Sequence, residues 1–449
     1  MDIAEHQNPG GYREVWNLAY PAILTMVSQT VMWTVDSAMV GHAGKVELAA
    51  VGLGGILVWT VYSFFLGLTN SINTFVSQNF GAKKLDRCAE YLWQGLYIAL
   101  AAGVMILALR FLNGWIIDLL RPSEEVRGRC IAYANIRMLS GPFTMMHFAY
   151  ANFFRGIGNT KTPMKVVVFA NLLNIIGDYF LIFGKGPFPA MGVVGAAWAT
   201  AFANFLSAYI FAVVASSGKY RRVYGTLEHW RPHLSEIKSL LRIGIPIAVH
   251  FFLDMGSFLV FSAYIGRMGT EPLAVNQIVI QILALSFMPC QGFSIAATTL
   301  MGQYIGARRS DLAKKSAYTA LKLGATYSGI VAIICITFPG PLVRIFNTDP
   351  VVVSLGKQTM LWAALFIIFD AIQMVSSGAL RGAGDTKVPM KITIGGAWFL
   401  FIPLAYIFGT VLSGGIVWAW AGGAIYALFL GAAMSWRLMR DRWRDIRIE

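Results

Sequence analysis

RGIGNTKTPMK at residues 155–165 returns as RGAGDTKVPMK at 381–391, with eight of eleven residues identical. The correspondence continues on either side at an offset of 225 or 226 residues. Pro21 pairs with Pro246, Ser37 with Ser262, Gly41 with Gly266, Gly44 with Gly269 and Leu48 with Leu273. Gln78 pairs with Gln303, Gly81-Ala82-Lys83 with Gly306-Ala307-Arg308, and Asp86 with Asp311. One slipped residue over half a chain is too regular for chance, so the chain is a duplicated unit.

Composition says what kind of unit. The 449 residues are 57% hydrophobic and 13% charged, where a soluble domain carries about 25% charge. Apolar runs long enough to span a bilayer recur throughout, which predicts an all-α integral membrane protein. Twelve spans fit: 15–40, 47–78, 88–110, 131–154, 163–184, 191–216, 238–265, 272–301, 313–338, 353–380, 389–411 and 415–438. The gaps carry Gly81, Pro122, Gly158, Pro187, Gly218, Gly269, Gly306, Pro339, Gly384 and Gly414. The first apolar run begins near Val15 and continues past the length of a signal-peptide core, so no cleaved signal is expected. Residues 111–130 read as a short surface helix at the outer interface.

Each copy holds six spans. Six is even, so both copies enter the membrane the same way round, as parallel repeats about a central cleft. The expected division is an N-terminal lobe at 1–216, a basic linker at 217–237 and a C-terminal lobe at 238–449. The net charge of +14 would suggest nucleic acid in a soluble protein, but here it follows topology. The N-terminus, the even-numbered gaps and the C-terminal tail hold 25 Lys and Arg, the odd-numbered gaps 8. That bias places both termini in the cytoplasm, in a multi-pass inner-membrane protein with no nucleic-acid partner. Cys88, Cys130, Cys290 and Cys335 are scattered, without a CxxC pair, and read as packing residues.

Residues shared by the copies report shared fold, so unshared polar residues inside spans are the candidates for function. Asp36 corresponds to Phe261, Asp178 to Leu404, Asn174 to Leu400 and Asn171 to Ala397. Asn171, Asn174 and Asp178 share one helix face; so do Gln29 and Asp36, and so do Thr200, Asn204 and Ser207. Two carboxylates with amide and hydroxyl oxygens nearby suit a proton or a small hard cation such as Na⁺. Amides and hydroxyls also serve as interhelical glue, an ordinary reading for Asn171, Asn204 and Ser207. A carboxylate is much costlier in hydrocarbon, and its presence points to function. The C-terminal lobe has its own pair, Asp254 and Asp370, at similar depth by residue count, with His250 one turn from Asp254.

With these residues in hand, the chain resembles the multidrug and toxic compound extrusion family. PAILTMVSQTVMWTVDSAMVGHAG at 21–44 and the repeated RGxGxTKxPM carry the resemblance, which covers essentially the whole chain. It implies a V-shaped bundle that exports organic cations and amphipathic drugs in exchange for H⁺ or Na⁺, as a monomer and without a cofactor. The family's first-lobe cation residues match Asp36, Asn174, Asp178 and Thr200. Some members also use acids resembling Asp254 and Asp370. This chain has Asp where Glu is commoner at 254, and Phe366 lies one turn before Asp370, which argues against Na⁺ there. Two alternatives remain at this point. GAKKLDRCAE after the second span is faintly similar to a major facilitator loop, and a lipid-linked oligosaccharide flippase would share the superfamily. The acidic charge within the spans favours a cationic substrate over a phosphate headgroup. The sequence carries neither HExxH nor GxSxG, so an enzyme finds no support.

Overall fold

Gly158 and Gly384, the second glycines of the repeated motif, take φ of +79° and +86°, a left-handed turn that a side chain disfavours. That turn separates two long helices in each copy and fixes the register of the duplication. The structure, a computed structural model, describes residues 8–119, 121–446 and 448. Among them there is no strand. The helices are α1 (Tyr12–Ala43), α2 (Lys45–Gly81), α3 (Leu85–Leu109), α4 (Asn113–Leu119), α5 (Glu124–Leu139), α6 (Gly141–Gly156), α7 (Lys161–Phe183), α8 (Val193–Ala215) and α9 (Gly218–Tyr224). The second copy continues with α10 (Leu234–Gly266), α11 (Thr270–Gly306), α12 (Ser310–Thr337), α13 (Pro339–Arg344), α14 (Pro350–Gly382), α15 (Lys387–Gly396), α16 (Ile402–Tyr406) and α17 (Gly415–Met439).

Eleven helical stretches among the described residues are long and apolar enough to cross a membrane. The twelfth expected span, 131–154, is not one helix. It is α5 and α6, of 16 residues each, broken at Ser140. Pro142 has no N–H and its ring clashes with the preceding turn, which is enough to break a helix. The break is seated on α3, where a Cβ on Gly103 would lie 2.3 Å from Pro142 Cα. Its copy, α14, has no proline there and runs unbroken for 33 residues. The eleventh span carries the other irregularity. Ala397–Phe401 and Ile407–Val411 wind as π-helix on either side of α16, which contains Pro403. The surface helix expected in 111–130 is shorter: α4 covers it, leaving Trp115 and Leu119 exposed, while Glu124 onward already belongs to α5. Arg127 Nη2 donates to Asp118 at 2.9 Å and ties the two together.

The chain forms two compact units. One runs from Leu24 to Ala248; the other joins the residues up to Ile23 with those from Val249 onward. The crossings therefore fall inside α1 and α10, just after Pro21 and Pro246.

Within the Leu24–Ala248 unit the linker is held against α3. Trp93 donates to the Thr226 carbonyl at 2.7 Å, Gln94 to the Arg231 carbonyl at 2.9 Å, and His233 Nδ1 lies 2.6 Å from Glu90. The start of α10 follows it in. A Cβ on Gly67 of α2 would lie 2.3 Å from Ala248 Cα, and one on Gly244 would lie 3.0 Å from the Leu68 carbonyl.

In the other unit α11 and α14 cross closely. A Cβ on Gly378 would lie 2.3 Å from Ser294 Oγ, and one on Gly382 would lie 2.3 Å from the Thr298 carbonyl. Such small residues let backbones approach and hydroxyls reach across. Ser294 donates to the Met374 carbonyl at 2.9 Å and Thr298 to the Gly378 carbonyl at 2.8 Å. The start of α1 seats on the same helix: Gly292 packs against Ile23, and Tyr304 donates to Glu14 at 2.7 Å.

The motif's variable position tells the copies apart. Asn159 donates to Tyr220 at 2.7 Å, whereas Asp385 pairs with Arg437 at 2.7 Å, with both of the latter side chains largely buried. Removing one member of a buried pair strands the other charge, at a cost of about 3 kcal/mol. Asp385→Asn, the residue its repeat uses, should therefore lower the melting temperature in detergent by several degrees.

Candidate functional site

The first-unit site is built where α1, α5, α7 and α8 meet. Helix α8 comes close to α7 because its residues are small: a Cβ on Gly195 would lie 2.6 Å from the Leu181 carbonyl, and one on Gly177 would lie 3.2 Å from Ala199 Cβ. That approach brings Thr200 against Asn174. Set with its nitrogen toward Asp178, the Asn174 amide donates to Oδ2 at 3.2 Å and accepts from the Thr200 N–H at 3.2 Å. Asp178 is fully buried and Asp36 is 5% exposed. Asp178 lies in the field of Asp36. Asp36 Oδ1 and Asp178 Oδ1 are both buried with no hydrogen-bond partner. A buried carboxylate oxygen without a donor is expensive. A proton or a hard cation bound there would supply what is missing, while Asn174, with its nitrogen toward Asp178, holds that carboxylate as a donor.

Four of the expected residues thus come together: Asp36, Asn174, Asp178 and Thr200. The others do not join them. Asn171 donates to Ser28 at 2.9 Å and Asn204 to Thr144 at 3.0 Å, each tying two helices. Ser207 Oγ lies 2.6 Å from His147 Nδ1. Gln29 is half-buried and, among the described residues, its side chain reaches Met32 Sδ of its own helix, at 3.9 Å. Interhelical hydrogen bonds of this kind contribute about 0.6–2 kcal/mol. Asn171→Ala should therefore lower thermal stability slightly and leave gradient-driven transport intact, which a melting curve and a vesicle assay on one preparation will check.

Sequence reasoning missed Arg137. It sits on α5, three residues before the break, and acts electrostatically on both Asp36 and Asp178. Its Nε is buried and unpartnered. Its guanidinium lies 5.9 Å from the centre of the Tyr133 ring. The break frees its carbonyl, which receives the hydroxyls of Tyr62 at 2.6 Å and Ser140 at 2.7 Å. The signal was available: Arg137, Lys322 and Lys357 are the three basic residues that loop counting leaves over.

The equivalent place in the second copy is aromatic. Phe261 stands for Asp36 and lies 4.8 Å from Phe401 and 5.4 Å from Trp420, ring centre to ring centre. Ala363 stands for Arg137. The second-copy acids lie elsewhere. Asp254 accepts from Tyr426 at 3.3 Å, and Asp370 feels the charge of Asp254. His250 bonds Thr393 at 3.2 Å and is influenced by Arg381; it makes no hydrogen bond to the acids.

A family pattern described as MatE matches the chain twice, over residues 21–180 and 246–407, starting at the paired prolines Pro21 and Pro246. The chain belongs to the MatE family. A Thermotoga maritima protein named probable multidrug resistance protein NorM is 31% identical, over 98% of this chain and 95% of its own length. A Neisseria meningitidis serogroup B protein of the same name is 30% identical, over 98% and 96%. A crystal structure of MATE in the straight conformation shares the fold, with a TM-score of 0.89, 22% identity and coverage of 97% and 96%. MatE membership makes this a multi-pass membrane transporter and separates it from the major facilitator class. Both halves of the MatE pattern stop short of the last helix of their copy, so α8 and α17 lie outside the match although α8 supplies Thr200.

Proposed function

We propose that the chain is a secondary antiporter that exports organic cations and other amphipathic drugs in exchange for inward H⁺ or Na⁺, by alternating access. The names of its relatives support the substrate class. The observation that carries the mechanism is the buried acid pair, Asp36 and Asp178, each with an oxygen that lacks a donor. Ionised, the pair attracts a cationic substrate. Protonated or holding Na⁺, it is neutralised and releases it. Two cations competing for one negative site gives obligatory exchange by linkage. Thr200 supplies a neutral hydroxyl, Asn174 steadies Asp178 as a donor, and no further cofactor is needed. The basic loops support a cytoplasmic-membrane orientation with both termini inside, and the two six-helix lobes, 1–216 and 238–449 about the 217–237 linker, supply the two halves of the cycle. The working unit in the bilayer is a monomer.

Everted membrane vesicles test this directly. Uptake of ethidium is followed under an imposed pH gradient and, separately, an imposed Na⁺ gradient. Uptake driven by pH alone makes Asp36 and Asp178 proton carriers and leaves Asp254 and Asp370 structural. Uptake that requires Na⁺ makes them metal ligands and brings the second-copy acids into question. Uptake under neither gradient overturns the antiporter reading and directs attention to lipid-linked substrates.

A further inference from the structure

Two carboxylates and one guanidinium share the first-unit site. The nearest described partners of Arg137 are uncharged apart from the acids: the Tyr133 ring beneath its guanidinium, with the Tyr62 and Ser140 hydroxyls on its carbonyl. Among the described residues Arg137 forms no ion pair, although it lies in the field of both acids. A guanidinium is always charged, so it cannot leave the balance by losing its proton. With both acids ionised, the site carries two negative charges and one fixed positive charge. Every member of this set is absent from the second copy, where the same positions are Phe261, Leu404 and Ala363. The arginine thus goes with the acid pair and not with the shared fold.

We propose that Arg137 is a fixed counter-charge that limits the Asp36–Asp178 pair to one coupling cation per turnover. With the guanidinium in place, one H⁺ or Na⁺ brings the site to neutrality, and a second would leave an uncompensated positive charge in a low-dielectric interior. Without it, two cations are needed. Arg137 is on this account a specificity-determining residue: it sets stoichiometry and disfavours divalent ions, whichever monovalent ion is used. The inference rests on the coupling-site reading above.

The test uses full-length protein in liposomes, loaded with radiolabelled tetraphenylphosphonium as a monovalent cationic probe. Exchange is driven by the coupling ion while a valinomycin–K⁺ diffusion potential is varied. The quantity read is the change in charge moved per probe between wild type and Arg137→Gln. Removing the fixed charge should add one inward cation per probe, which makes steady-state accumulation steeper by about tenfold for each 59 mV of potential. Arg137→Lys should return the wild-type slope. Arg137→Met, which keeps the apolar stem volume, is the second variant should the glutamine protein not fold. If glutamine and methionine variants transport with the wild-type slope, the counter-charge assignment is wrong. Asp36→Asn in the same liposomes separates the two claims: undiminished coupled exchange there overturns the coupling site itself, whatever Arg137 does.

Discussion

Asp36→Asn is expected to reduce gradient-driven export to the uncoupled level. The substitution keeps shape and removes charge. Asp36 is buried with an unpartnered oxygen and faces Asp178, so the wild-type site must take up a cation before it is electrically neutral. With asparagine at 36, the charges of Asp178 and Arg137 cancel without any ion. The driving ion then has nothing to bind. Coupling between two ligands is typically 1–3 kcal/mol, which converts to a loss of about 5–150-fold in the accumulation a gradient can sustain. Asp178→Asn should behave alike. The control is folding: neither variant loses a hydrogen bond made through Asp36 Oδ1 or Asp178 Oδ1, so melting temperatures should not fall with transport. Equal loss of both would place these acids in the architecture instead.

Gly382→Val is expected to be severely damaging to the helix scaffold. A Cβ at 382 would lie 2.3 Å from the Thr298 carbonyl, and no rotamer can move a Cβ. Helix α14 would have to withdraw from α11, breaking the bonds from Ser294 and Thr298 to α14 carbonyls. Overpacking of this kind costs about 3 kcal/mol, and the lost hydrogen bonds add to it. The expected result is little monodisperse protein after detergent extraction. Gly156→Val, the corresponding change in the first copy, should be milder, since the obstacle there is the Val76 side chain at 2.7 Å. Gly395→Val, where a Cβ meets nothing within 4 Å, should be tolerated. Equal behaviour of all three would mean that close approach is not what the motif's first glycine provides.

The span count and the duplication were legible because both depend on long-range regularities: apolar length, loop charge and a constant offset. The acids were legible because an ionised group in an apolar run is costly wherever its partners lie. Asn174 and Thr200 could be shortlisted by face but not separated from Asn171 and Asn204, since an amide that ties helices and one that holds an ion have the same periodicity. Arg137 was overlooked because basic residues were weighed as topology signals, which discards any that fall inside a span. The break at Ser140 was overlooked because hydropathy carries straight through Pro142. Its effect depends on whether a neighbouring helix can seat the kink, and Gly103 of α3 provides that seat only in the folded bundle.

The crossing of the chain between units inside α1 and α10 has a consequence for how the protein is made. The ribosome delivers α1 first, yet its portion up to Ile23 packs with residues around Gly292 and Tyr304. That portion is released early and must wait more than half of translation for its neighbours. The first unit waits too, because the α10 segment ending at Ala248 completes it. Each copy thus lends its opening half-helix to the other, as partners do in a domain-swapped dimer. A cut at the linker would therefore part the opening of α10 from the unit it completes.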